Sequence, residues 1–560
     1  MKSSKRVARR LAAMALAGAA LAFPACATTT QPQSAVSVAE EPAPPPEPGS
    51  QSDVAPKLVV LIVVDQLGAW VLNEHLSLLP KNGVIRRAHR EGAALVAEFP
   101  YASTQTAPGH ASLTTGVIPS VHGIVSNEVY DPELGARPVV DDREHPVIGN
   151  PDRFASPAAL RSESVADVLH RQSQGKARIV GISMKARSAV LSVGHEPDVA
   201  VFYDARARGL TTSTYYAAAG RLPDWLADFN KANPVELLLL PWEPAAPDRL
   251  ERAFGPDGRP GEMYPLFPHD PRESPDPWRA FSATPESSEY LIAAAYAAVK
   301  TERMGMDEVP DLLVLSISGT DIVGHIWGVR SWEYADNLAR IDRALSRLVD
   351  LLEDRGPVAF VLTADHGVAE LPEQSGNERR PGGRLQPAML VREAEQVADG
   401  ALGAGHWIAG YVPPLFTYTP EGKARHDELT RALQRAMPAI QGVQAVYDAH
   451  QGARLRQSRD EIERLVGASL PDDPPGDLYL VAEPGWFDSP SATGGTNHGS
   501  PWAYDRRVPV LMWGTAIERR TSKQVQNALQ VATSLAALLN VSPPSGAPSW
   551  PLPGVMRLPD

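Results

Sequence analysis

The segment Leu58-Val-Val-Leu-Ile-Val-Val64 is an unbroken aliphatic run that stops at a charged residue, Asp65. A half-exposed strand alternates apolar and polar residues, so an unbroken β-branched run marks a strand covered on both faces. Similar runs occur at Ala177–Ile182, Leu312–Ile317, Val358–Thr363 and Val508–Trp513. Helical periodicity lies between several of them, as in Ser162–Gln172 and in Ala335–Glu353, where Leu338, Ile341, Leu345, Leu348 and Leu351 recur. Strands alternating with helices predict an α/β fold, a mainly parallel sheet sandwiched by helices. Ligands of such sheets bind beyond the carboxyl ends of the strands. That is where this chain puts metal-ligating residue types: Asp65 directly after one run, Asp321 closely after a second, and Asp365-His366 after a third.

Three Asp and three His are candidates: Asp65, Asp321, His325, Asp365, His366 and His498. Asp321 and His325 are four apart, so on one helical turn they share a face and can chelate one ion. His498 sits in the glycine-rich loop Gly494-Gly-Thr-Asn-His-Gly-Ser500. Each has a plainer reading alone: a strand-terminal Asp is often a helix cap, and Asp321 with His325 reads as a solvated Asp and a packed His. Together they make two mixed N/O sets of three, a composition that suits zinc in open catalytic sites. Two neighbouring ions can clamp the attacking and leaving oxygens of a transferring phosphoryl group.

A hydroxyl nucleophile is the missing part. Thr106 opens Thr106-Ala-Pro-Gly-His110, where Pro108 suits the first turn of a helix. Thr106 is then placed at the helix mouth, where backbone N–H groups and the dipole favour an anion. Its plainer reading is a helix cap, and Ser103 and Thr104 compete for the nucleophile's role. His110 is expected to support the turn. In Ser183-Met-Lys-Ala-Arg187, an extended backbone would point Lys185 and Arg187 to one face. Two cations there favour a dianionic ligand; the plain alternative is an exposed basic pair.

This set resembles the alkaline phosphatase superfamily, in its type I phosphodiesterase/nucleotide pyrophosphatase family. Within that family it is most similar to phosphate-irrepressible alkaline phosphatases with a threonine nucleophile. The carriers are Val64-Asp65, Thr106–His110, His122-Gly-Ile-Val-Ser-Asn127, Gly319–His325, Asp365-His-Gly367 and Thr496-Asn-His-Gly-Ser500, spread over nearly the whole chain from Lys57. The resemblance implies two Zn2+ per chain. Asp65, Asp365 and His366 would hold the ion that binds Thr106. Asp321, His325 and His498 would hold the ion facing the leaving group. Asn127, Lys185 and Arg187 would contact phosphoryl oxygens. It further implies hydrolysis of small phosphate monoesters through a phosphothreonine, with a phosphodiesterase or nucleotide pyrophosphatase as the alternative. The formylglycine signature of sulfatases is absent at the nucleophile, and an inactive metal-binding lipoprotein fits poorly with a complete ligand set.

Of 560 residues, 53 are Lys or Arg and 66 Asp or Glu, a net charge of -13. Nucleic-acid binders carry a basic surplus, so no such surface is expected. Residues 1–26 read as an export signal: a basic start, an apolar stretch from Leu11 to Ala25, then the single cysteine, Cys26. Leu21-Ala-Phe-Pro-Ala-Cys26 resembles a lipobox, which predicts a periplasmic or cell-surface protein lipid-anchored at Cys26. Ordinary cleavage after Ala27 is the alternative. Residues 27–56 hold almost no large apolar side chain and are expected to form a disordered linker. Residues 57–560 are the expected catalytic domain, with insertions near 202–288 and 374–491 forming a cap or rim.

Overall fold

The structure, a computed structural model, describes residues 53–375, 382–491 and 493–558. The export signal, Cys26 and all but the last residues of the linker lie outside the described residues. None of the described helices is long and apolar enough to cross a membrane.

The strands that matter here are β1 (Leu58–Val64), β2 (Ala93–Glu98), β3 (Ile179–Ser183), β4 (Val199–Asp204), β5 (Gly209–Thr211), β6 (Asp311–Ile317), β7 (Val358–Thr363), β8 (Ile408–Val412), β9 (Leu415–Tyr418), β10 (Val443–Asp448), β11 (Leu478–Ala482) and β12 (Arg507–Gly514). The helices are α1 (Thr106–Thr115), α2 (Val165–Gln172), α3 (Ala186–Val193), α4 (Gly319–Trp327), α5 (Trp332–Glu353) and α6 (His426–Ala436).

The main sheet runs β2-β12-β7-β1-β6-β3-β4-β5, with two short strands beyond β12 pairing with β2. Its centre, β7-β1-β6-β3-β4, is parallel, as the aliphatic runs predict. Every residue of β1, β6 and β7 is buried, because helices cover both faces. β12 is also a buried strand but runs antiparallel to β7, with Trp513 stacked on Phe360 at 5.0 Å. Register fixes where the site forms. Val63 lies opposite Ser316 on one side and Thr363 on the other, so β1, β6 and β7 end level with one another.

Helix boundaries follow local chemistry. Ser164 caps α2 in a capping box with Asp167, and the Ser331 side chain caps α5. On α5 the buried stripe is Leu338, Ile341, Leu345, Leu348 and Leu352; Leu351, read from the sequence as part of it, is 42% exposed. Position 352 keeps the 3–4–3–4 stripe against the sheet and 351 falls outside it.

The stretch 202–288 begins inside β4 and continues through short helices and turns. The stretch 374–491 carries a four-stranded antiparallel sheet, β8-β9-β11-β10. It has its own core, where Leu390, Phe416, Leu429 and Leu433 are fully buried.

Candidate active site

The level ends of β1, β6 and β7 deliver Asp65, α4 and Asp365-His366 to one place. Asp321 lies in the first turn of α4, and His325 Nε2 reaches its Oδ1 at 3.0 Å, the one-face geometry expected of the pair. His498 comes in from the loop before β12 and sets its Nε2 3.4 Å from the same oxygen. His366 Nε2 is 3.4 Å from Asp65 Oδ1 and 3.3 Å from Asp365 Oδ2. The His366 and His498 rings stack at 3.6 Å, so the two groups of ligands share a wall.

The three imidazoles are oriented alike. His325 Nδ1 faces Thr496 O at 2.8 Å, His366 Nδ1 faces Gly367 O at 2.9 Å, and His498 Nδ1 faces Thr104 O at 2.9 Å. A backbone carbonyl accepts only from N–H, so each Nδ1 carries a proton and each Nε2 is the nitrogen turned to the cluster, where it can meet a metal.

One ligand atom each from Asp65, Asp365 and His366 lies within 4.8 Å of the others, and the same holds for Asp321, His366 and His498. His366 therefore borders both groups, while His325 joins the second through Asp321. The sites fit metal ions on their own chemistry. Asp65 Oδ1 and Asp365 Oδ2 are buried without a hydrogen-bond partner, a costly arrangement for carboxylates unless a cation meets them. Lys185 Nζ sits between the two groups, 2.6 Å from Asp65 Oδ2 and 2.5 Å from Asp321 Oδ2.

The titration of these groups shows how strongly the place draws positive charge. Burial works against the His366 imidazolium, but Asp365, Asp65 and Asp321 outweigh it and hold it up at about 9. Burial likewise works against charged Lys185, yet Asp321 and Asp65 raise it. Asp321 stays well below the usual carboxylate range because His325 and Lys185 overcome the effect of burial. His498 goes the other way, to about 3, through burial and the neighbouring His366 charge.

Thr106 faces this cluster. It is the first residue of α1, behind the cap residue Gln105, and so is not itself the cap. Its Oγ1 lies 3.5 Å from His366 Nε2. The competing hydroxyls are committed elsewhere: Ser103 Oγ to Tyr479 OH at 3.1 Å, and Thr104 Oγ1 to Ser500 O at 2.9 Å. His110 braces the turn, with Nδ1 2.8 Å from Thr106 O and Nε2 2.8 Å from Ser316 Oγ. Gly109 is needed for the fit of α1 against β7, since a Cβ there would stand 2.2 Å from Asp365 O.

Two expectations are corrected by this geometry. The helix end offers few free donors, because Pro108 has no N–H and Ala107 N–H donates to Asn127 Oδ1 at 2.8 Å. The Asn127 side chain stands at this end, and its backbone N–H donates to Gln105 Oε1 at 2.8 Å. The extended reading of Ser183–Arg187 also fails. Lys185 is the extended residue before α3, whereas Arg187 already lies in the helix. Lys185 enters the ligand cluster, and Arg187 lines an adjoining cleft of about 480 Å³ with Arg137, Arg143 and Arg153 while staying near enough for its charge to act on Lys185.

Gln66 and Gln105 are parts of the site with no signal in the sequence. Gln66 Nε2 donates to Asp321 Oδ1 at 2.8 Å and its backbone N–H to Asp365 Oδ1 at 3.2 Å. Its left-handed backbone (φ 68°) makes that double reach. A polar residue after a strand-terminal Asp is too common to have marked it.

The family model described as type I phosphodiesterase / nucleotide pyrophosphatase matches residues 59–500. The chain belongs to this family. Among the family's characterised proteins, it is 28% identical to alkaline phosphatase PhoV of Synechococcus elongatus, over 89% of this chain and 92% of that one. It is also 28% identical to alkaline phosphatase PafA of Elizabethkingia meningoseptica, over 90% and 94%. The crystal structure of wild-type alkaline phosphatase PafA superposes with a TM-score of 0.82 at 27% identity, covering 90% of this chain and 99% of that one. The fold is the alkaline phosphatase-like α/β architecture of that structure.

Proposed function

We propose that this chain hydrolyses phosphate monoesters as a two-zinc alkaline phosphatase with Thr106 as nucleophile. Metal-dependent hydrolysis of phosphate esters is the activity of its type of family member; the metal, the ester class and the residue roles are the finer reading. One observation carries it: the Thr106 hydroxyl is the one in its turn that opens onto the His/Asp cluster, while Ser103 and Thr104 are bonded away from it.

Asp65, Asp365 and His366 would hold one ion, and Asp321, His325 and His498 the other. When bound, the ions supply Lewis acidity at the attacking and leaving oxygens. The chain's own groups do the rest. Thr106 Oγ1 gives up its proton to solvent and bonds to phosphorus in line with the departing ester oxygen. That oxygen leaves with the electrons of its P–O bond and takes up a proton from solvent. Water then hydrolyses the phosphothreonine, restoring Thr106 and releasing phosphate. Asn127 donates its amide to one equatorial oxygen, and Lys185 and Arg187 offset the charge of a dianionic monoester. We read residues 1–26 as an export signal with Cys26 as lipid anchor, on the sequence alone; Cys26→Ala should then release the protein from the membrane fraction.

The test compares an aryl phosphate, an aryl phosphodiester and an aryl sulfate under one set of conditions, with acid quenching to trap phosphothreonine. The proposal expects the monoester to be fastest and the label to sit on Thr106. A faster diester would place the chain with the phosphodiesterases, and label on Ser103 or Thr104 would overturn the nucleophile.

A further inference from the structure

A second His/Asp cluster lies in the inserted sheet, away from the residues described above. His426 opens α6, Asp448 ends β10, His450 follows it, and Asp477 precedes β11. His426 Nε2 is 3.2 Å from Asp448 Oδ1, and His450 Nε2 is 3.2 Å from Asp477 Oδ1. One ligand atom each from His426, His450 and Asp477 falls within 4.8 Å of the others. The two rings meet edge to face at 5.1 Å.

We infer that His426, His450 and Asp477 form a structural site for a zinc-class divalent cation, separate from the catalytic pair, with Asp448 holding His426 in place. The donor set is two imidazole nitrogens and one carboxylate oxygen, which suits an ion of this kind with a water completing its shell. With metal–nitrogen bonds near 2.0–2.1 Å, ligand atoms on one tetrahedron lie roughly 3.3 Å apart, and the His450–Asp477 separation of 3.2 Å is close to that spacing. The carboxylates are already held by their outer oxygens. Asp477 Oδ2 accepts from Tyr418 N–H at 2.8 Å, and Asp448 Oδ2 accepts from Gln451 Nε2 at 2.9 Å. Asp477 Oδ1 is thereby aimed at His450, the outer-shell support that metal ligands use, while Asp448 Oδ1 also accepts from His450 N–H at 3.0 Å. Lys423 Nζ stands 3.9 Å from Asp477 Oδ2, on the far side of that carboxylate from His450.

The bland alternative is two separate His–Asp ion pairs. That alternative needs each Nε2 to carry a proton, on a neutral ring or a charged one, whereas a cation would take lone pairs from both rings and from Asp477 at once. The three ligands come from a helix start, a turn and the approach to a strand, so the ion would tie separate elements together as a structural site. It would pin α6 to the ends of β10 and β11. The His450 side chain is 47% exposed, which gives the ion a route in.

The experiment uses the full chain, purified and dialysed against metal-free buffer after loading with zinc. Metal analysis compares wild type with His426→Gln and, because that helix-start variant could misfold, with the more exposed His450→Gln. We expect each variant to hold about one zinc fewer per chain than wild type. Thermal unfolding of wild type should shift upward with added zinc more than that of either variant, and kcat/KM on an aryl phosphate should change less than about twofold. Equal zinc content in wild type and a folded His450→Gln would overturn the inference in favour of ion pairs. A loss of activity in step with the lost ion would overturn its structural role.

Discussion

The cluster at the ends of β1, β6 and β7 and the cluster in the inserted sheet use the same two ligand types. Their surroundings differ. In the first, carboxylate oxygens of Asp65 and Asp365 are buried with no hydrogen-bond partner, and Lys185 reaches in from just before α3. In the second, the outer carboxylate oxygens are already satisfied by Tyr418 N–H and Gln451. The first leaves coordination capacity facing a hydroxyl; the second uses its capacity up within the protein. Parallel strands that end level create the first arrangement, because several carboxyl ends meet around one cavity. Antiparallel β10 and β11 bring one strand end beside one strand start, which makes a clip rather than a cavity.

The largest effect should come from the hydroxyl that faces the open cluster. Thr106→Ala is expected to lower kcat/KM on an aryl phosphate by on the order of 10³-fold or more, with zinc content unchanged. Steady-state kinetics with metal analysis on one preparation checks both halves. A variant that lost metal instead would make Thr106 a ligand first and a nucleophile second.

Next come the cations. Charge-assisted contacts to phosphate are worth roughly 1.5–3 kcal/mol, so Lys185→Ala should cost about tenfold to a few hundredfold on monoesters and less on diesters. Arg187→Ala should cost no more than Lys185→Ala, because its side chain points into the neighbouring cleft. The ratio of monoester to diester kcat/KM in each variant is the readout. Equal losses on both substrates would remove these residues from ester selection.

The clip should respond in the opposite sense. His450→Gln is expected to leave kcat/KM within about twofold while lowering the melting temperature by a few degrees, about 1 kcal/mol per degree for a chain of this size. Differential scanning calorimetry with and without zinc measures it, and a variant as stable as wild type in zinc would dissolve the contrast between the clusters.

The smallest expected effect is a control from a buried carboxylate with no imidazole beside it. Burial pushes Asp488 up to about 7, although Tyr411 OH donates to it. An unfolded Asp titrates near 4, so the folded chain holds the proton longer. This group's favourable contribution is complete below about pH 4 and is lost as pH rises toward 7. Asp488→Asn cannot ionise, so its melting temperature relative to wild type should climb between pH 5 and pH 8. A difference that stays flat with pH would mean that Asp488 is ionised in the fold.

How far the sequence reveals these two regions follows from the same contrast. β1, β6 and β7 are legible because strands buried on both faces must be aliphatic throughout, and their polar ends then stand out. β2 alternates buried and half-buried residues in Ala93–Glu98 and gives a much weaker pattern. Leu351 looks like a core position until helix phase assigns that place to Leu352. The Lys185–Arg187 spacing is readable, but the helix start at Ala186 that separates the two side chains is not. The clip is invisible along the chain: its four residues belong to a helix start, a strand end, a turn and a strand approach, and no motif links them.

His498 hangs on the backbone of Thr104, 394 positions earlier in the chain. That bond puts a clock on the enzyme. A chain still being made has Asp65, Thr106 and even Asp365-His366, but no carbonyl-held His498 to finish the second group of ligands. The nearly complete polypeptide must be present and folded before the second group of ligands is whole. A chain broken anywhere between the two residues keeps both, and its parts stay together through the strand pairs that cross the break, β2 with β12 among them.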